Sequence, residues 1–290
     1  MTKLYQKLFK SSPSQTEINK GLKEVYSECE AISDKQVLMN ILGVIDLTSL
    51  NTTDNKSNII HFTGKVNSFH SRFPAIPNVA AICVFPNFVS VVKEKLTAKN
   101  VKIAAVAGGF PSSQTFRNIK VTESKMASDD GADEIDIVIP VGSFLGNDFA
   151  SVADDIREIK RTIKEKQLKV IVESGLLKDS DLIFKASMIA MDAGADFIKT
   201  STGKVSVSAT PEAAFVMCRA ISGFYSETGI KVGFKAAGGI VTPKDAVIYY
   251  NIVKHCLGEE WLNSKLFRIG ASRLANNVLS EIIGCRNDHF

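Results

Sequence analysis

The sequence predicts an α/β protein built as a (β/α)8 barrel, or TIM barrel, with an N-terminal helical extension. Eight short apolar runs recur from residue 40 onward, and stretches with the apolar spacing of amphipathic helices separate them. Continuous apolar runs are typical of strands buried on both faces of a parallel sheet. Eight such units over about 250 residues match the usual size of this barrel. An open doubly wound sheet is the structural alternative, but the chain lacks the GxGxxG turn that such sheets often carry.

The N-terminal part of the chain is polar. Residues 1–38 contain SSPSQ followed by the helix-like stretch EINKGLKEVYSECEAI, so we expect an extension with one helix packed on the main body. The barrel domain is expected over residues 39–284 and a C-terminal tail over residues 285–290. The polar segment Asn51–Asn58 is expected to form a loop.

The predicted strands are short, and helical patterns lie between them. Two such patterns cover residues 151–166 and 180–194, and the second closes on Gly194, as helices often do. The predicted strands are ILGVIDL (41–47), AAICVF (80–85), VKIAAVA (101–107), DEIDIVI (133–139), LKVIVES (168–174), DFIKTS (196–201), KVGFKA (231–236) and FRIG (267–270).

Two lysines end predicted strands six and seven. Lys199 in DFIKTSTGK and Lys235 in GFKAAGG each follow an apolar run and precede small residues and glycine. Active residues of a barrel lie at the C-terminal ends of strands about 4.8 Å apart, so we expect both ammonium groups to face one pocket. Burial and a neighbouring cation disfavour a charged lysine, and a neutral amine is the nucleophile of Schiff-base chemistry. The alternative is that each lysine lies at a rim or an interface.

Carboxylates interrupt two other predicted strands. Asp46 lies in strand one and Asp136 in strand four, where an unpaired carboxylate is costly. Glu134 and Asp136 share one face of their strand. If that face lines the barrel, Asp136 can pair with either lysine and move protons through a water. A structural ion pair is the alternative, and Glu173 at the end of strand five raises the same question.

Glycine-rich turns follow predicted strands six, seven and eight. Glycine lets the backbone approach a ligand closely, and barrels often bind phosphate after strands seven and eight, on backbone N–H groups and a helix N-terminus. Three such turns in consecutive units predict a phosphorylated ligand. The turns are Ser201-Thr202-Gly203-Lys204, Ala236-Ala237-Gly238-Gly239 and Gly270-Ala271-Ser272.

Composition and charge argue against several other classes. With 45% hydrophobic and 23% charged residues the chain reads as globular, and a net charge of +4 without a basic run does not favour a nucleic-acid partner. No stretch reads as a signal peptide or a membrane span. The five cysteines and four histidines form no metal-binding pattern, so we expect no metal and reduced thiols in the cytoplasm. Cys83 is expected to be a small core residue.

With these residues in view, the chain resembles the deoxyribose-phosphate aldolases, a family of class I (Schiff-base) aldolases. The match runs from about Val44 to Ser272, and the two lysine motifs together are its most specific part. The matching segments are DLTSLN (46–51), AAICVFP (80–86), GADEIDIVIP (131–140), KVIVESGLLKD (169–179), GADFIKTSTGK (194–204) and VGFKAAGGI (232–240).

The resemblance implies a role for each matching residue. It implies that Lys199 forms the Schiff base, that Lys235 beside it lowers its pKa, and that Asp136 relays protons with a water. It also implies that Asp46 and Thr48 hold the substrate hydroxyls or the Lys235 network. The residues implied in binding the substrate and its phosphate also include Thr202, Gly203, Lys204, Gly238, Gly239, Gly270 and Ser272.

The implied reaction is the reversible cleavage of 2-deoxy-D-ribose 5-phosphate to D-glyceraldehyde 3-phosphate and acetaldehyde, a step of deoxyribonucleotide and carbohydrate catabolism. The Schiff base on Lys199 becomes an iminium that accepts the electrons of the breaking carbon–carbon bond, so the resemblance implies no cofactor and no metal. The implied partners are a phosphorylated deoxy-sugar and small aldehydes, without nucleic acid or membrane. A homodimer is compatible with the family.

The chain departs from the family at two places. Arg273 follows Ser272 where a second serine is common, and the chain ends in Asn287-Asp288-His289-Phe290 where relatives of similar length often end in a tyrosine that assists enamine proton transfer. His289 is the candidate substitute. These departures, with the extension and the basic charge, leave open a weakly active member that acts mainly as a protein-binding partner. An aldolase for other aldehydes is a further alternative.

Overall fold

A closed parallel barrel of eight strands forms the centre of the molecule. The computed structural model describes residues 11–29 and 34–290. Each strand pairs with the next in parallel, and the last strand pairs with the first. The predicted (β/α)8 barrel is therefore confirmed, and the open doubly wound sheet is wrong. The strands are β1 (Ile45–Thr48), β2 (Ala81–Val84), β3 (Lys102–Ala107), β4 (Glu134–Val138), β5 (Gln167–Ile171), β6 (Phe197–Lys199), β7 (Gly233–Ala237) and β8 (Phe267–Ala271).

Helices follow the strands and cover the outside of the barrel. They are α1 (Gln15–Glu28), α2 (Lys35–Leu42), α3 (Lys56–Arg72), α4 (Val89–Lys95), α5 (Arg117–Asp129), α6 (Val141–Leu145), α7 (Phe149–Ile163), α8 (Ser174–Leu177), α9 (Ser180–Asp192), α10 (Pro211–Thr228), α11 (Pro243–Leu257) and α12 (Leu274–Ile283). Short 3-10 turns cover Pro86–Phe88 and Glu259–Trp261. Within the described ranges, no helix has both the length and the apolar character needed to cross a bilayer.

Helix α7 illustrates how the sequence forms these outer helices. The side chain of Asp148 accepts a hydrogen bond from the backbone N–H of Ser151, which caps the helix at its N-terminus. Ile156, Ile159 and Ile163 recur at helical spacing and are buried against the barrel. Burying an isoleucine side chain contributes about 1.5–3 kcal/mol, so the apolar stripe fixes the helix on the sheet.

The first strand begins later than the sequence predicts. The predicted strand at residues 41–47 starts inside a helix, because Ile41 and Leu42 form the last turn of α2. Together with Leu38 they are buried at helical spacing, and Asp34 caps the helix by accepting from the N–H of Gln36. An apolar run shared by a helix end and a strand cannot be divided by composition alone.

The predicted loop at residues 51–58 is also shorter in the structure. Asn55 accepts hydrogen bonds from the N–H groups of Ser57 and Asn58, so the last part of the segment is the first turn of α3. Asn58 in turn accepts from the N–H of Asn55, which completes a reciprocal cap.

Two helices precede β1 in the described residues, where the prediction has one. Helix α1 packs on α10 and α11 through Ile18, Leu22 and Val25, which are buried. At Gly21 an added Cβ would lie 2.3 Å from Phe215, so the absence of a side chain permits this close packing. Helix α2 crosses the predicted domain boundary at residue 38. The parts of the predicted extension at residues 1–10 and 30–33 lie outside the described residues.

Candidate active site

Lys199 and Lys235 lie side by side at one end of the barrel. They are register partners on β6 and β7, so their side chains leave the sheet at the same height. The Nζ atom of Lys199 donates to Oδ2 of Asp136 at 2.8 Å, and Nζ of Lys235 donates to the same oxygen at 2.8 Å. Lys235 also donates to Oδ2 of Asp46 at 2.5 Å. The structure thus brings together four residues that the sequence predicts as site residues.

Asp136 is the centre of this arrangement. Its side chain is fully buried on β4, and its second oxygen, Oδ1, accepts from Nζ of Lys169 at 3.0 Å. Burial alone would raise the pKa of the carboxyl group, but Lys169, Lys199 and Lys235 hold the pKa of Asp136 well below its usual range. The group is therefore an ionised acceptor.

The two predicted lysines differ in their electrostatic surroundings. Burial lowers the pKa of Lys199; Asp136 opposes this shift, and the charge of Lys235 adds to it. Burial acts in the same direction on Lys235, but Asp136 and Asp46 together raise the pKa of Lys235 above its ordinary value. Lys199 is therefore the amine more easily deprotonated, and Lys235 stays charged.

Three further ionisable residues, Glu134, Lys169 and Arg268, lie in the same interior and were not predicted as site residues. Lys169 on β5 donates to Oε2 of Glu134 at 2.5 Å. The guanidinium of Arg268 on β8 bridges Oδ1 of Asp46 at 2.5 Å and Oε1 of Glu134 at 2.7 Å. The signal was a charged residue inside an apolar run, the same signal that identified Asp46 and Asp136.

A cavity of about 250 Å³ opens above Lys199. Lys199 lines it, whereas Asp46, Asp136 and Lys235 are fully buried beneath its floor. Of the two roles predicted for Asp46, the geometry fits the Lys235 network and not contact with a ligand. Thr48 lines the cavity and donates its hydroxyl to the backbone oxygen of Asp46 at 2.8 Å.

The three glycine-rich turns meet at this cavity. Gly238 has a φ of +85°, and an added Cβ would lie 2.5 Å from Cβ of Ser208, so both conformation and space require glycine there. The cavity wall also includes Arg273, which directly precedes α12. The predicted binding residues that line the cavity are Thr48, Thr202, Gly203, Lys204, Gly238, Gly239, Gly270 and Ser272.

Glu173 and Leu50 hold the first of these turns in place. Glu173 is buried, and its backbone adopts the left-handed conformation with a φ of +56°. Its carboxylate accepts from the backbone N–H of Thr202 at 3.1 Å and from the Thr202 hydroxyl at 2.6 Å. Nζ of Lys204 donates to the backbone oxygen of Leu50 at 2.5 Å. Glu173 therefore supports the turn through Thr202.

His289 is not among the residues that line the cavity, so the structure does not place it where a substitute for the family tyrosine would act. Helix α3 starts near the end of β1 and runs back along the barrel, and His289 packs against its C-terminal half. Its ring nitrogens contact Nη1 of Arg72 at 3.0 Å and the backbone oxygen of Lys65 at 2.8 Å. Phe290 stacks on Phe69 beside it. Burial lowers the pKa of His289.

Cys83 is fully buried on β2 among small apolar side chains. Its neighbours in this interior cluster include Ala81, Ala104 and Val106. Burial raises the pKa of the Cys83 thiol, so it is kept as a neutral group. The structure therefore places Cys83 as a core residue.

Known aldolases resemble this chain both in sequence and in structure. Residues 41–250 match the family described as DeoC/LacD family aldolase. The chain is 41% identical to human deoxyribose-phosphate aldolase over 255 residues, which covers 84% of this chain and 80% of that protein. Identity to the Bos taurus deoxyribose-phosphate aldolase is 40% with the same coverage. A solved deoxyribose phosphate aldolase from Aeropyrum pernix shares the fold, with a TM-score of 0.65, 23% identity, and coverage of 92% of this chain and 98% of that one.

Proposed function

The chain belongs to the DeoC/LacD family of aldolases, which are carbon–carbon lyases, and we propose that it cleaves 2-deoxy-D-ribose 5-phosphate reversibly through a Schiff base on Lys199. The products are D-glyceraldehyde 3-phosphate and acetaldehyde. One observation carries the assignment of the nucleophile. Lys199 and Lys235 share one oxygen of Asp136, but Lys199 alone of these three lines the cavity.

The amine of Lys199 attacks the C1 aldehyde of the substrate, and water leaves to give an iminium. Acetaldehyde carries C1 and C2 away, so the bond that breaks joins C2 and C3. Its electron pair moves towards the iminium nitrogen and gives an enamine, while the C3 hydroxyl loses its proton and becomes the aldehyde of the second product. Protonation of the enamine at C2 and hydrolysis release acetaldehyde and restore the amine.

Asp136 and Lys235 serve the proton transfers of this sequence. Asp136 is ionised and accepts from the Nζ atoms of Lys199 and Lys235. A water in the cavity can therefore exchange a proton with the Asp136 carboxylate through Lys199 or its neighbours. Lys235 stays protonated and disfavours a second positive charge beside it. Burial and the charge of Lys235 both favour the free amine of Lys199 over its ammonium form.

The phosphate of the substrate fits the glycine-rich side of the cavity. Residues of the turns after β6, β7 and β8 line this side, among them Lys204 and Arg273, and α12 begins directly after Arg273. Glycine-rich turns and a helix N-terminus are typical of phosphate sites. Arg273 supplies a planar guanidinium in the place where a second serine is common in the family. We assign this region to phosphate binding.

The proposed chemistry requires no cofactor, because the iminium nitrogen accepts the electrons that a Lewis acid would otherwise stabilise. The absence of a metal or cofactor requirement, the homodimer and the cytoplasmic location remain predictions. A phosphorylated deoxy-sugar and small aldehydes are the proposed ligands.

Trapping with acetaldehyde and borohydride tests the nucleophile. Reduction of the imine should leave N-ethyllysine at Lys199, identified by peptide mass spectrometry, and Lys199→Ala should abolish both the adduct and the cleavage of 2-deoxy-D-ribose 5-phosphate. Lys254→Ala, at an exposed lysine on α11, is the control and should keep both. An unmodified Lys199 in folded wild-type protein would refute the proposal.

Turnover separates this proposal from its alternatives. A protein that acts mainly as a binding partner should form the adduct but cleave the sugar phosphate slowly, and should capture a partner protein in a pull-down. An aldolase for other substrates should prefer another aldehyde in a panel of phosphorylated and unphosphorylated compounds. Efficient cleavage with strict preference for 2-deoxy-D-ribose 5-phosphate would exclude both.

A further inference from the structure

Seven ionisable side chains form one buried network below Lys199. Each is at most 3% exposed, and each contacts at least one oppositely charged member within 3.0 Å. We call this network the core charge cluster. Its members are the carboxylates Asp46, Glu134 and Asp136 and the cations Lys169, Lys199, Lys235 and Arg268.

The core charge cluster has one cation more than it has carboxylates. With every group ionised, four positive and three negative charges are buried together. An unbalanced charge in a protein interior is costly, and it is normally removed by a shift in protonation. Loss of one proton from a lysine would leave the cluster neutral.

Among the described residues, no further carboxylate forms an ion pair or a hydrogen bond with a member of the core charge cluster. Glu173 is also buried, but its carboxylate accepts from the N–H and the hydroxyl of Thr202. Strand β2 contributes Cys83, whose thiol is kept neutral by burial, and β3 contributes Ala104 and Val106. On the cavity side, the charged residues Lys204 and Arg273 are both cations. The balance of charge is therefore set within the cluster.

The four cations differ in the number of carboxylates that they contact. Three of them each bridge two carboxylates, as Lys169 does with Glu134 and Asp136. Lys199 has one carboxylate contact, to an oxygen that it shares with Lys235. Arg268 cannot lose its proton in a protein. Lys199, the member that lines the cavity, is therefore the lysine that loses the surplus proton.

We propose that Lys169, Glu134 and Arg268 are positioning residues that set the proton count at Lys199. These three residues do not line the cavity. Lys169 and Arg268, together with Lys235, are the three cations that each bridge two of the three carboxylates, so Lys199 is left as the surplus cation. This inference rests on the proposed function, because it explains how a neutral nucleophile is maintained at Lys199. It assigns the effect to the whole cluster and not to Lys235 alone.

Substitutions of opposite charge should act in opposite directions. Lys169→Met leaves three cations against three carboxylates, so Lys199 should keep its proton and the acidic limb of the pH–rate profile should move to higher pH. Glu134→Gln leaves four cations against two carboxylates, so the limb should move to lower pH. Buried charges at this range couple strongly enough to move the limb by about one pH unit.

Two controls separate charge from packing. Lys169→Arg keeps the charge and should leave the limb near its wild-type position. Lys120→Met removes another buried lysine, which pairs with Asp155 at 2.8 Å between α5 and α7, outside the barrel interior. It should cost comparable stability without moving the limb.

The measurement is the initial rate at which acetaldehyde and cyanoborohydride ethylate Lys199, followed by peptide mass spectrometry across pH, together with the pH dependence of kcat/KM. Circular dichroism confirms folding. Opposite movement of the limb in Lys169→Met and Glu134→Gln is the expected result. Movement in one direction for both, or none, overturns the inference, and either variant alone decides if the other does not fold. Wild-type protein that is not ethylated at Lys199 would instead refute the proposed function.

Discussion

Lys199 and Lys235 face each other across adjacent strands and donate to the same atom, Oδ2 of Asp136, each at 2.8 Å. Two ammonium groups on one oxygen repel each other, so the arrangement favours the loss of one proton. Lys235 also holds Asp46, whereas Lys199 borders the cavity. The asymmetry of these contacts distinguishes nucleophile from neighbour, although the two lysines are equivalent in the strand register.

Asp136→Asn should lower kcat by about 10²–10⁴-fold, because an amide cannot take up and return protons as a carboxylate does. Ethylation of Lys199 by acetaldehyde and borohydride should persist, since the amine itself remains. Steady-state kinetics and the trapping assay together measure the two effects. Asp155→Asn, which breaks a buried ion pair outside the barrel interior, is the matched control and should retain kcat. A kcat close to wild type in Asp136→Asn would contradict a proton-transfer role.

Gly238→Ala should raise KM for 2-deoxy-D-ribose 5-phosphate at least tenfold, with a smaller change in kcat. The residue has a φ of +85°, and the new methyl group would overlap Ser208, so the turn that borders the cavity must move. Gly284→Ala is the matched control, because Gly284 has a φ of +75° but open space around it, at the end of α12. If both variants show the same KM as wild type, the turn after β7 does not bind the phosphate.

The residues at the strand ends could be predicted from the sequence. In this barrel consecutive strands are neighbours, so residues that end consecutive strands lie close together. An apolar run that ends in lysine, repeated in consecutive units, places Lys199 beside Lys235 once the strands are parallel and adjacent. The same reasoning brings the glycine-rich turns to one cavity. Both features depend on strand order, which the alternation of strands and helices determines.

The lower part of the cluster could not be predicted in the same way. Lys169 and Arg268 each come second in an apolar run, where a charged residue is usually the exposed start of a strand. Their side chains instead turn into the barrel and reach Glu134 from two other strands. The direction of a long side chain depends on the tilt of the strands and on which small residues, such as Ala104, lie opposite it in the barrel. The sequence pattern gives neither the tilt nor the residues that lie opposite.

His289→Ala should reduce stability and leave kcat unchanged. The imidazole contacts Arg72 and the backbone of Lys65, and its ring packs at 5.4 Å from that of Phe69. His289 does not line the cavity that contains Lys199. Loss of these contacts should cost about 1–3 kcal/mol in the free energy of unfolding. Thermal or urea unfolding measures the loss, and steady-state kinetics measures kcat. A large fall in kcat at full folding would show that the tail reaches the cavity during turnover.

Asp46→Asn should make stability less sensitive to acid. Burial alone would raise the pKa of Asp46, but Lys235 and Arg268 lower it below its ordinary value. A carboxyl whose pKa is lower in the folded state stabilises the protein above the unfolded pKa of about 3.9, and this contribution is lost as pH falls through the folded value. The variant should be about 3–5 kcal/mol less stable at neutral pH, because it leaves buried cations unpaired. Urea midpoints of variant and wild type should approach each other below about pH 4; a gap that stays constant would contradict this assignment.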